Sequence, residues 1–155
     1  MLQLNLRMNT SRLEERLRQY SKRVRNLRPF FEGEASRLFY NQVRRVFESR
    51  GFGSWSPLSA DYARRKRRVR GGKGILRDTD TYFRAATTSS ARGSLHRATH
   101  SSLQIGVQYP VTYAFYHEQG TRNLPRRPVF ALARERSSRP IRLALGRYLF
   151  RRRNR

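Results

Sequence analysis

Ten aspartates and glutamates and three histidines supply the side-chain acid–base and metal-ligating groups, against 35 lysines and arginines. His96 and His100 stand four apart, a spacing that shares one metal ion on a helix. Their segment alternates like a strand, where residues i and i+4 lie far apart along one face, so no metal site is expected. His117–Glu118 lacks the second histidine of the zinc-protease pattern, because position 121 is Thr. A buried, hydrogen-bonded structural role is the expectation for His117. Asp78 and Asp80 bracket a helix start and read as caps. Glu14, Glu15, Glu32, Glu34 and Glu48 fall on helix faces, without the convergence a metal-dependent nuclease needs to hold its cations. No serine sits in a nucleophile elbow. Gly71–Gly72–Lys73–Gly74 lacks the spacing of a nucleotide-binding loop, in which Gly-Lys-Ser/Thr follows a first glycine after four residues. Cysteine is absent, which excludes disulfides and thiolate metal sites. The expectation is a protein without catalytic residues, metal or cofactor.

Cations are what the chain has in excess. The net charge is +25 and the isoelectric point about 11.8. Only Lys22, Lys66 and Lys73 are lysines, so 32 of the 35 cations are arginine, the residue suited to bidentate contact with phosphate or carboxylate. Residues 1–77 carry 20 basic and 6 acidic groups (+14), and residues 78–155 carry 15 and 4 (+11), so this is no neutral domain with a basic tail. Such a charge repels itself, and a polyanion or acidic protein neighbours are the simplest compensation. The densest run, Arg64, Arg65, Lys66, Arg67, Arg68 and Arg70 with Lys73 beyond, abuts glycines. Residues 64–74 read as a basic flexible loop, either a polyanion or partner contact or a solvated connection. Arg126 and Arg127 are the second candidate contact, and Arg151, Arg152 and Arg153 form a basic tail at 151–155.

The elements that would position these groups follow from period and punctuation. Residues 1–9, with Leu2, Leu4 and Leu6 alternating, read as a short strand or an arm. Thr10 or Ser11 can cap a helix whose stripe is Leu13, Leu17, Tyr20, Val24 and Leu27. Pro29 suits the first turn of a second helix. Phe31, Ala35, Phe39, Val43 and Val46, widened by Leu38 and Phe47, continue helical spacing to about residue 49, as two helices or one kinked helix. Residues 50–57 form a loop that carries Trp55, the sole tryptophan, expected to plug against the core. Ser59 can cap a short helix through Arg68, and the segment from Asp78 leads into another holding Tyr82 and Phe83. Residues 86–107 predict a hairpin turning at Ala91–Ser94. An aromatic helix or turn at 113–117 follows, and Ser138 and Pro140 open a last helix with Ile141, Leu145, Tyr148 and Leu149 on one face. The fold class is α+β in one domain over 1–155: long N-terminal amphipathic helices packed on a small, mostly antiparallel sheet, plus a C-terminal helix. An apolar run of about 18 residues and a signal-peptide core near Met1 are both lacking, so the expectation is a protein made inside a cell and not bound to membrane.

The order of these features resembles the phage virion-morphogenesis family, the tail-completion or neck proteins of tailed phages. The resemblance covers about residues 10–150 and rests on Phe39 and Phe47, then Trp55, Pro57 and Leu58, Tyr62 and Lys66, and Ile75–Leu76 with Thr79 and Tyr82. Its clearest part is Tyr113–Ala114 followed by His117–Glu118–Gln119–Gly120, then Pro125, Arg126 and Pro128. Asp80 departs from it, because such sequences more often carry Gly after the Thr. The resemblance implies an oligomeric, non-catalytic virion protein at the head–tail junction (neck) or the tail end, assembled in the host cytoplasm. Its implied partners are other neck, tail and portal-adaptor proteins, a homo-oligomeric ring and double-stranded DNA in the lumen. Trp55, Tyr113, His117, Gly120, Pro125 and Pro128 would then be structural, with the cations named above facing DNA or acidic neighbours. The alternative is a free basic nucleic-acid-binding protein, for which no zinc-finger spacing and no RNP-like run speaks.

Overall fold

A computed structural model describes residues 11–150 of the chain. The arm at 1–9, the tail Arg151–Arg153 and the side chain of Leu13 lie outside the described residues.

The fold is α+β. Helix α1 (Ser11–Arg25) leads through a two-residue break into α2 (Arg28–Phe30), whose first turn takes Pro29 where its missing N–H costs little. A π turn (Phe31–Ala35) joins α2 to α3 (Ser36–Glu48) without interruption. The π turn inserts one residue, which rotates the apolar face by about 100°. Phe30 and Ala35, five apart, are therefore both buried, while Phe31 is only partly covered. Beyond the turn the expected α spacing resumes, with Tyr40, Val43, Val46 and Phe47 buried.

The main core gathers Val43, Val46 and Phe47 of α3 with Trp55, Tyr82, Ala85, Val111, Val129 and Ala133. Phe47 is its hub, meeting Trp55, Tyr82 and Phe83 edge-on at 6.0, 5.4 and 5.2 Å between ring centroids. Such edge-to-face packing adds to the area term. Three of these core residues come from α5 (Thr81–Thr87) and the start of α7 (Phe130–Phe150), so α3 is clamped between the two. A second, smaller cluster joins Phe30 and Ala35 to Ala144 of α7.

The sheet is one antiparallel hairpin, β1 (Ser94–Ala98) with β2 (Leu103–Val107), in the register Ser94–Val107 through Ala98–Leu103. Its turn is at Thr99–Ser102 and not at Ala91–Ser94. The Thr99 hydroxyl accepts from the backbone N–H groups of Ser101 and Ser102, the local hydroxyl turn that competes with a longer strand. Ala91–Ser94 forms a separate turn that delivers the chain into β1.

Two further expectations are corrected. The last helix begins at Phe130, eight residues before Ser138, and carries Pro140 inside it. Proline removes one intrahelical donor, and the flanking Ser137 and Ser138 hydroxyls both donate to Arg134 O in the preceding turn. The run from Arg64 to Arg70 is helical and not a flexible loop: it lies within α4 (Ala60–Arg70), capped by the Ser59 hydroxyl and closed by Gly71 at φ 64°. Among the described residues no helix is long and apolar enough to cross a membrane.

Candidate functional site

The residues that carry the resemblance converge on the connection between α6 (Ala114–Gln119) and α7. Glu118 is the keystone. Its Oε1 accepts from the backbone N–H groups of Val129 and Phe130 at 2.6 and 2.7 Å. A carboxylate here satisfies two of the orphan donors at the start of α7 and meets the positive end of that helix. The Glu118 carbonyl in turn accepts from Arg126 Nε at 3.0 Å, and His117 O accepts from Arg127 N at 2.7 Å. Gly120 turns the chain between them at φ 75°, where a Cβ would stand 3.1 Å from the Arg126 backbone. Only glycine takes that backbone conformation without strain.

The same knot reaches the 50–58 loop. Trp55 is buried, and its indole N–H donates to Pro128 O at 3.1 Å. A Cβ on Gly51 would lie 2.3 Å from the Trp55 ring, so the ring closes over a glycine. Arg127 is only 5% exposed and donates from Nε and Nη2 to Ser56 O, and from Nη2 to Pro57 O. Arg127 is therefore a structural strut and is withdrawn from the candidate polyanion contacts. Arg126 stays exposed. Pro125 and Pro128 fix the chain on either side of this arginine pair.

His117 is half-buried, stacked on Tyr82 at 6.4 Å and edge-on to Tyr113 at 6.3 Å. Burial lowers its pKa below the ordinary value, and the neighbouring Arg127 charge adds to that. The ring is thus neutral near pH 7. Among the described residues its Nδ1 has no hydrogen-bond partner, and the contacts that hold the ring are the two tyrosines.

The α4 cations separate into classes. Lys66 is 5% exposed, and its ammonium donates to Gly74 O at 2.7 Å, so it too leaves the surface set. Arg64 pairs with Asp61, and Arg70 with Asp78 at 3.3 Å. Arg65 lies over the Tyr62 ring at 5.5 Å. Arg67 and Arg68 are exposed, and neither guanidinium has a partner among the described residues. Lys73 and Arg77 both pair with Asp80 at 2.8 Å, which closes the glycine loop against the start of α5. Asp80 makes no side-chain cap bond to α5, and Asp78 is spent on Arg70, so the capping role expected of both is replaced by ion pairing. Asp80 also stands at φ 60°, the left-handed region, at the position where the resemblance expects glycine. Aspartate is among the few side chains that tolerate it.

Exposed aromatic groups cluster next to this knot. Tyr109, Tyr113, Phe115 and Tyr116 are 79%, 42%, 62% and 55% exposed within eight residues of chain. The α1 stripe also remains uncovered at Leu17, Tyr20 and Val24, with Tyr20 stacked on Phe150 at 5.3 Å. His96 and His100 are not brought together: His96 Nε2 lies 2.9 Å from the Ser36 hydroxyl, whereas His100 is exposed in the hairpin turn. Among the described residues no group of three or more metal-ligating side chains converges. Glu118 as a helix cap escaped the sequence reading, because its partners lie 11 and 12 residues away and no local pattern marks them. Comparison with family models, with curated proteins and with solved structures gives no match to this chain.

Proposed function

We propose that this protein is a structural component of a tailed-phage-like particle, added at the head–tail junction as a tail-completion or neck subunit. The observation that carries the reading is the fate of the segment from Tyr113 to Pro128. Its charged and polar candidates are consumed internally: Glu118 holds the start of α7, Arg127 holds the 50–58 loop, and Pro128 O receives Trp55. What faces outward is aromatic and cationic. Exposed aromatic patches of this kind suit protein–protein contact, where Tyr and Phe serve as rigid anchors. A ring subunit needs two different surfaces that close on rotation, and the α6 aromatics and the α1 stripe are two such surfaces. Exposed arginines such as Arg67 and Arg68 suit a lumen that passes DNA or an acidic neighbouring ring.

The test is incorporation. Purified protein mixed with tails or necks lacking this component should cosediment at moderate salt. The Phe115→Ser/Tyr116→Ser double variant should stay folded and lose incorporation. Cosedimentation that is indifferent to those aromatics, together with steeply salt-dependent binding to bare DNA, would move the assignment to a free nucleic-acid-binding protein.

A further inference from the structure

Lys66 and Arg127 share a problem of charge balance. Both line a cleft of about 560 Å³ bounded by α4, the start of α5, α6 and the segment before α7. Both are 5% exposed, yet neither forms an ion pair among the described residues. Their hydrogen-bond acceptors are backbone carbonyls: Gly74 for the ammonium, Ser56 and Pro57 for the guanidinium. A carbonyl dipole offsets only part of the cost of removing a cation from water. An ammonium has three protons to donate, and Lys66 uses one. The two carboxylates that also line the cleft are engaged elsewhere, Asp78 with Arg70 and Asp80 with Lys73 and Arg77. Burial is the first cause that lowers the pKa of both Lys66 and Arg127; the charges of Asp78 and Asp80 act against it at Lys66, whereas no carboxylate does so at Arg127, where a further anion would be favoured most. The rest of the wall is largely apolar, with Leu58, Leu76, Tyr82, Tyr113 and Leu124.

We propose that this cleft seats a carboxylate carried on an apolar stem, with Lys66 and Arg127 as its counter-charges and the Tyr82–Tyr113 wall against the stem. The volume falls within the range of small-ligand sites. A phosphodiester would satisfy the cations but brings no apolar group to the wall. Two sources carry the preferred chemistry, an acidic side chain of another polypeptide and a free small acid. The inference does not depend on the particle the protein joins.

Backbone-amide NMR of the full chain tests it with three probes: N-acetyl-phenylalanine, its uncharged amide, and the capped peptide acetyl-Ala-Phe-Glu-Ala-amide. The acid should shift the amides around 56–58, 74–76 and 124–127 saturably, and the uncharged amide should bind at least about tenfold more weakly. Tighter binding of the capped peptide than of the free acid assigns the source to a polypeptide; the reverse assigns it to a small acid. Lys66→Met should lose binding by about tenfold or more; it removes a buried charge and keeps the stem but leaves Gly74 O without its donor, so retention of the parent's amide spectrum away from 66–76 is the control that the variant is folded. Equal binding of acid and amide, unsaturable shifts spread over the exposed α4 arginines, or undiminished binding to Lys66→Met would each overturn the proposal.

Discussion

Arg126 and Arg127 are neighbours in sequence with opposite surroundings, and only the fold separates them. Arg127 makes three bonds to carbonyls of the 50–58 loop from a buried position, whereas Arg126 makes one bond to Glu118 O from the surface. Replacing Arg127 by Ala should cost about 2–4 kcal/mol, because two carbonyls lose their donors and the loop loses its tether. Replacing Arg126 should stay within about 0.5 kcal/mol. Urea unfolding followed by Trp55 emission reads both, and an Arg127→Ala variant as stable as the parent would contradict the strut. Asp80 supplies a pH test. Its hydrogen bond to Arg77 is the first cause that holds its pKa below the ordinary carboxylate value; burial opposes it, and the hydrogen bond from Lys73 and the charges of both cations act in the same direction as Arg77. A folded-state pKa below the unfolded one stabilises the protein above the unfolded value and ceases to do so as pH falls through the folded one. Stability should therefore fall as pH drops below about 4, and Asp80→Asn should flatten that fall. An unchanged acid limb in that variant would remove Asp80 from the account.

At the scale of elements, α7 carries two features that a sequence window of ordinary length cannot join. Its start is stabilised by Glu118 from across the α6–α7 connection, and its middle contains Pro140. Glu118→Ala should cost about 1–2 kcal/mol, the range of a lost cap, with the loss concentrated in the first turns of α7 as read by amide exchange. Uniform loss of protection across α3 and α7 would instead make Glu118 a global core residue. Pro140→Ala should raise stability by up to about 3 kcal/mol, since it restores a donor within a continuous helix, and a lowered melting temperature would count against that. These two residues also show where legibility ended. The helical spacing from Phe39 to Phe47, the Pro29 start and the Ser59 cap were readable because each is a local pattern with a local cause. Pro140 misled because proline marks a helix start more often than an interior, and here tertiary packing of Ala133 and Ala144 keeps the helix whole. The Arg64–Arg70 run misled because charge density suggested a loop, although lysine and arginine are good helix formers and Ser59 and Gly71 supply both caps. The hairpin strands are legible from Leu103, Ile105 and Val107, but the glycine at 93 marks a different turn, and a Thr99–Ser102 pair closes the hairpin.

For the whole molecule, the +25 charge sets the terms on which everything else operates. Burial removes Lys66 and Arg127 from the surface, and ion pairs occupy Arg28, Arg64, Arg70, Lys73, Arg77 and Arg147. Most of the remaining arginines are exposed, so the molecule carries a repulsive field that salt screens over about 10 Å at 0.1 M. Two opposed salt responses follow. Folding of the isolated chain should strengthen as salt rises, because self-repulsion weakens while exposed ion pairs contribute little. Binding to DNA or an acidic partner should weaken over the same range, because counterions compete for the arginines. Arg67→Ser/Arg68→Ser separates these effects, since neither guanidinium has a partner to lose among the described residues. The variant should melt at the same temperature as the parent or higher at low salt. Its log–log salt slope for DNA binding should be shallower by about 1–2, the number of phosphate contacts removed. If the slope is unchanged while incorporation into particles falls, the α4 arginines face an acidic protein and not DNA. If both are unchanged, the end of α4 is only a solvated helix face, and the polyanion contact must be sought among the other exposed arginines.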